Sequence, residues 1–124
     1  MKLYHGWLSS ASRRVRLCLA EKGLPYESMP IDMSRQEHHA PAYLAMNPNG
    51  VVPALLLNNG ESLYESSTIC EYLDDIAPEP PLRPADPYQR GHAQLRALDR
   101  REVAAQPADT QLEHRLAAGR QPVE

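Results

Sequence analysis

Three stretches of this 124-residue chain place side chains where they could do chemistry. The first is Ser9-Ser10-Ala11-Ser12, followed by Arg13, Arg14 and Arg16, where a short apolar stretch gives way to a helical pattern. The start of a helix carries N–H groups with no partner inside the helix, and its dipole favours negative charge there. A serine hydroxyl at that point can donate a hydrogen bond to an anion without help from a general base. Capping accounts for Ser9 equally well, and Ser10 and Ser12 are alternative caps or donors. The second stretch is Glu65-Ser66-Ser67, again at a strand-to-helix turn, where backbone N–H groups and hydroxyls would meet an anion. Thr68 and Glu71 fit a capping box by themselves, which would put Ser66 and Ser67 one turn early. The third is His38-His39, in a polar loop where solvent exposure is the ordinary fate of an imidazole. Cys18 and Cys70 fall in helical patterns among apolar neighbours and read as small buried hydrophobes. The three arginines line the first helix and could attract an anion, but an ordinary solvated face is the reading their type and spacing favour.

The elements that must carry these residues follow from spacing. Lys2 to His5 is a short strand, and Gly6 to Ser10 a loop. A helix then runs to about Lys22, with Ala11, Val15, Cys18 and Leu19 at spacings of three and four and Gly23 as its stop. A second strand covers about Tyr26 to Ile31, completing a strand–helix–strand unit. Residues 32–46 support only a loop and one short helix, about Pro41 to Ala45. Asn47-Pro48-Asn49-Gly50 is a turn that runs into the apolar Val51 to Leu57, with Pro53 at the strand entrance. Spacing alone reads Pro53 as a trans-proline opening that strand. Asn58-Asn59-Gly60 makes a hairpin with Ser62-Leu63-Tyr64. A third helix follows, with Ile69, Tyr72, Leu73 and Ile76 as its apolar stripe.

Residues 78–87 hold Pro78, Pro80, Pro81, Pro84 and Pro87, a stiff extended linker and the best boundary in the chain. Beyond it, Tyr88 to about Ala105 reads as a charged helix with Leu95 and Leu98 on one side. Leu112 and Leu116 mark at most one weak helix. A formal net charge of -3 argues against a nucleic-acid binder, which would show a basic face. No stretch approaches the roughly 18–20 apolar residues of a membrane helix. Two cysteines and no signal-like start point to a reducing cytoplasm. No paired Cys/His spacing suggests zinc.

Asn47-Pro48-Asn49-Gly50-x-Val52-Pro53-x-Leu55, then Glu65-Ser66-Ser67-Thr68-Ile69 and Tyr72-Leu73, resembles the thioredoxin-like N-terminal domain of soluble glutathione transferases. Ser9-x-x-Ser12-Arg13-Arg14-Val15-Arg16 is similar to the theta, phi and zeta-like branches with an active-site serine. The resemblance covers roughly residues 1–88 and continues weakly to about 105. It implies an α/β fold of order βαβ–αββα with a mixed four-stranded sheet: a glutathione-binding domain over 1–77, the linker 78–87 and a truncated helical region over 88–124. Ser9 would hold the glutathione thiolate. Glu65, Ser66 and Ser67 would grip the γ-glutamyl end. Val52 would pair its backbone with the cysteinyl segment, provided Pro53 is cis, and His38 (or its neighbour His39) would lie near the glycyl carboxylate. The resemblance puts Ser9 and Ser12 where thioredoxins carry Cys-x-x-Cys, which excludes dithiol chemistry there. The implied function is attack of a glutathione thiolate on a small electrophile, in a possible homodimer and with no metal. The alternative is a non-catalytic interaction or regulatory module, or a truncated remnant, since the helices that complete the second-substrate pocket in the family are mostly missing.

Overall fold

The computed structural model describes residues 1–95. The chain divides between Leu82 and Arg83 into two units. The first runs β1 (Lys2–His5), α1 (Ser10–Glu21), β2 (Glu27–Pro30), a 3₁₀ turn (Glu37–His39), α2 (Pro41–Met46), β3 (Ala54–Leu56), β4 (Ser62–Tyr64) and α3 (Ser66–Ile76). The sheet order is β2-β1-β3-β4. β1 pairs parallel with β2 and antiparallel with β3, and β3 pairs antiparallel with β4. Parallel neighbours need a crossover, which α1 supplies. This is the thioredoxin-like arrangement.

Alternation along β1 and β3 divides the interior into two layers. Leu3 and Leu55 face α1 and α3, where they meet Val15, Cys18, Leu19, Ile69 and Leu73. Tyr4 and Ala54 face the other way, toward Tyr43 of α2 and Val52. Full burial of each leucine stabilises by about 1.5–3 kcal/mol, so the helical layer is the stronger of the two. α1 stops at Gly23, whose φ is +62°. Gly23 N–H bonds to Ala20 O at 3.1 Å and Leu24 N–H to Leu19 O at 3.0 Å. That is the paired closure of a Schellman motif, with Leu24 folding back onto the core.

Lys22, the C-cap of α1, turns its ammonium into the protein. It pairs with the buried Asp74 carboxylate and donates to the carbonyls of Ala77 (2.7 Å) and Pro80. Asp74 in turn accepts from Leu82 N–H at 3.0 Å. The end of α3 and the start of the proline-rich stretch are thus tied to α1.

Three expectations shift. β2 is shorter than 26–31, and the 3₁₀ turn at Glu37–His39 lies in the stretch read as loop. On α3, Ile69 and Leu73 are buried in the core cluster, but Ile76, the final residue of the helix, is 48% exposed. In the second unit, residues 87–95 are helical. Leu98, the continuation to about 105 and the weak helix around Leu112 and Leu116 lie outside the described residues.

Candidate functional site

Ser9 is the N-cap of α1. Its Oγ accepts from Ser12 N–H at 3.1 Å, and Ser12 Oγ, fully buried, accepts from Gly6 N–H at 3.2 Å. The capping bond uses a lone pair and leaves the Ser9 proton to serve another acceptor. Cap and donor, which the sequence poses as alternatives, are therefore compatible roles of one hydroxyl. Ser10 is the first helical residue and Ser12 a buried brace.

Gly6 lies where Ser9 and Val52 meet. A Cβ there would stand 3.3 Å from Val52 Cγ2, 3.5 Å from Ser9 Cβ and 3.8 Å from Met33 Cγ. The Val52–Pro53 bond is cis. The carbonyl before it is held twice, since Tyr43 Oη–H donates to Val51 O at 2.6 Å and Asn47 Nδ2–H at 2.7 Å. In a trans peptide the N–H points opposite to the C=O. Anchoring Val51 O on α2 therefore turns the Val52 N–H away from Tyr43 and Asn47. Burial pushes the Tyr43 phenol up to about 12, with the Asn47 contact opposing the shift, so it stays a donor at neutral pH. Sequence reasoning singled out neither Tyr43 nor the clamping role of Asn47.

His38 is buried, at 8% exposure, and not a solvated loop residue. Its Nδ1 is buried without a hydrogen-bond partner. A buried polar atom of this kind calls for a ligand or another explanation. His39 is exposed, lies 4.0 Å from His38 between ring centroids with the planes tilted by 47°, and its Nδ1 bonds to Gln36 Oε1 at 2.8 Å. Gly50, at φ +59°, permits the approach of His39, because a Cβ there would meet the ring at 3.0 Å. His39 thus sits against the turn that leads to Val52, with the His38 ring beside it.

α3 begins at Ser66, so Ser66 and Ser67 occupy its first turn, and Thr68 and Glu71 lie inside the helix instead of forming a capping box. Glu65 is the N-cap with φ 71° and ψ 114°, and it makes no side-chain cap bond. A non-glycine residue held at positive φ costs about 1–3 kcal/mol and concentrates at ligand sites. Ser66 is 3% exposed and its Oγ accepts from Arg14 Nη1 at 2.8 Å.

Arg14 is exposed, as a solvated face requires, but that contact gives it a protein partner as well. Arg16 departs further from such a face. Its Nη1 bonds to His5 Nδ1 at 3.1 Å, its Nη2 donates to Trp7 O at 3.3 Å, and its Cζ lies 4.7 Å from the Trp7 ring centroid. Arginine has no acceptor, so His5 Nδ1 carries the lone pair and Nε2–H donates to Ser28 Oγ at 2.7 Å. Burial, and then Arg16, lower the His5 pKa and keep it neutral. Arg16 and His5 thereby brace the loop that precedes Ser9. Arg13 is exposed.

Cys18 is buried and donates weakly to Cys70 O at 4.0 Å. Burial raises both thiols, Cys70 to about 12. Among the described residues no group of three or more His, Cys, Asp and Glu side chains could hold a metal, and no helix is long and apolar enough to cross a membrane.

A four-stranded thioredoxin-like unit with a serine at the start of α1 and a second polar turn at the start of α3 defines a class. Residues 3–81 match the family described as Glutathione S-transferase, N-terminal domain. The chain belongs to the glutathione S-transferase family. It is 50% identical over 92 residues to the maleylacetoacetate isomerase of Pseudomonas aeruginosa, covering 73% of this chain and 43% of that protein. Among solved structures it is similar to the holo form of maleyl pyruvate isomerase, a bacterial zeta-class glutathione S-transferase (TM-score 0.70, 39% identity, 77% of this chain and 44% of that one). It is also similar to the maleylacetoacetate isomerase of Methylobacterium extorquens AM1 with bound malonate and GSH (TM-score 0.71, 39% identity, 76% and 44%). The chain spans less than half the length of these relatives.

Proposed function

We propose that the first unit binds glutathione and holds its sulfur as a thiolate for reaction with an electrophilic carbon. The observation that carries this is the Ser9 hydroxyl, fixed by Ser12 N–H at the start of α1, beside Val52, with its proton not used by the cap. Bound there, the sulfur supplies a nucleophile that forms a carbon–sulfur bond, retained in a conjugation or released again in an isomerisation. Ser9 donates to the thiolate and so favours it over the thiol. Val52 offers its backbone to the cysteinyl residue as an added strand would, with Pro53 completing that edge. Glu65 meets the γ-glutamyl ammonium, and Ser66 and Ser67 meet its carboxylate at the start of α3. His38, whose Nδ1 lacks a partner, faces the glycyl end. The residues present suit a tripeptide with a carboxylate at each end.

The isomerase names of the relatives favour an unsaturated diacid of the maleyl type as substrate. A reducing cytoplasm and a homodimer belong to the same proposal. Calorimetric titration with glutathione tests it. Saturable binding, weakened in Ser66→Ala and kept in Ser9→Ala with loss of turnover, is expected. No binding at millimolar glutathione by a folded protein would end the reading.

A further inference from the structure

We infer that Arg14 is a further recognition residue of this site, orienting Ser66 as a proton donor and adding positive charge for the γ-glutamyl α-carboxylate. The inference rests on the glutathione reading above. Arg14 Nη1 donates to Ser66 Oγ at 2.8 Å across 52 residues of sequence, joining α1 to the first turn of α3. Neither the packing of these helices nor a cap calls for the bond. The helices already meet through Val15, Cys18, Leu19, Ile69 and Leu73, and the N-cap of α3 is Glu65.

The chemistry of the pair sets its direction. A guanidinium only donates, whereas a hydroxyl has one proton and two acceptor pairs. Arg14 therefore occupies the acceptor side of Ser66 Oγ, and the hydroxyl proton points to another acceptor. A hydroxyl already accepting from a cation is polarised and becomes a stronger donor. Ser66 is buried while Arg14 is exposed, so the bond joins a sheltered hydroxyl to a guanidinium that still meets solvent. Around it lie the first-turn N–H groups of α3, which favour an anion. A carboxylate oxygen accepting from Ser66 at about 2.7 Å would lie within about 5.5 Å of Nη1, given the 2.8 Å contact. Opposite charges at about 4–6 Å influence one another strongly. Hydroxyl, helix terminus and guanidinium thus converge on one kind of group, a carboxylate attached close to the chain. The site should accordingly reject a γ-glutamyl peptide whose α-carboxylate is neutralised, and Arg14 should carry much of that discrimination.

The test is a titration of wild-type, Arg14→Gln and Arg14→Lys proteins, each checked for an unchanged folded state. Two ligands are used, glutathione and its analogue with the γ-glutamyl α-carboxylate converted to a carboxamide. Wild type is expected to prefer glutathione. Arg14→Gln should weaken glutathione about tenfold, equivalent to about 1.4 kcal/mol, with little change for the carboxamide, so that the preference collapses. Arg14→Lys should recover part of it, because the charge returns without the planar fork. Equal weakening of both ligands would mean a merely structural role, and an unchanged glutathione affinity in Arg14→Gln would mean none. Either overturns the Arg14 assignment while leaving the glutathione site in place. A wild-type protein that binds no glutathione would overturn the underlying reading instead.

Discussion

Replacing Ser9 separates its two roles, because glycine caps a helix almost as well as serine but donates no side-chain hydrogen bond. Ser9→Gly should cost only a few tenths of a kcal/mol in stability. Its effect on bound glutathione should be larger. A hydrogen bond to a charged group is worth about 1.5–3 kcal/mol, and a helix N-terminus adds about 0.3–1. Together they suffice to bring a thiol from about 8.5 to about 6.5, which needs about 2.7 kcal/mol. With the helix terminus still in place, removing the hydroxyl alone returns the bound thiol to about 7.8–8.3, at 1.36 kcal/mol per unit. At pH 6.5 the thiolate fraction then falls about 10- to 30-fold, and it recovers as pH rises through the new value. Ultraviolet absorbance of the thiolate, scanned against pH at saturating glutathione, reads this without knowledge of the electrophile. The same midpoint in Ser9→Gly and wild type, with glutathione bound to both, would refute the role given to the Ser9 proton.

The Lys22–Asp74 pair is buried, so Lys22→Met should destabilise the first unit by about 3–5 kcal/mol, whereas Lys22→Met with Asp74→Leu should recover most of that in urea unfolding. His5 has a lowered folded pKa, so its contribution to stability is whole above the ordinary imidazole value of about 6.5 and is lost as pH falls through the folded value. Fluorescence of the single tryptophan, Trp7, whose ring lies 4.7 Å from that of His5, should report the step, and His5→Gln should flatten it. Cys70, raised to about 12 by burial, and Cys18 should resist iodoacetamide at pH 8 in the folded protein and label once it is unfolded, as mass spectrometry would show.

Local signals were enough for most of the frame. Val15, Cys18 and Leu19 mark the inner face of α1, Gly23 ends it, and Asn58-Asn59-Gly60 turns the hairpin, all through interactions a few residues long. The 3₁₀ turn escaped because three polar residues carry no periodicity. The isomer at Pro53 is not written in residue spacing, and the resemblance indicated it. Nothing in the type of Glu65 announces a positive φ, which is set by the turn it completes. The Arg14–Ser66 bond and the Lys22 clasp join residues 52 or more apart, and arginines on a helix surface look alike until the second helix is in place. Tyr43 and Asn47 are near Val51 in sequence, but only the folded path shows that both point at one carbonyl. The candidate positions were visible as residue types, and the bonds that orient them were not.

The strand order carries a consequence for synthesis. β1 is made before the other three strands of the sheet, yet it lies inside it, with β2 on one side and β3 on the other. Its parallel partner follows after one helix, but its antiparallel partner is Ala54–Leu56, some fifty residues later. The central pairing is therefore non-local, the kind of closure that slows folding and leaves strand edges open meanwhile. Val52 arrives with the same segment. Ser9, made before that segment, acquires its neighbour across Gly6 only when the later segment docks.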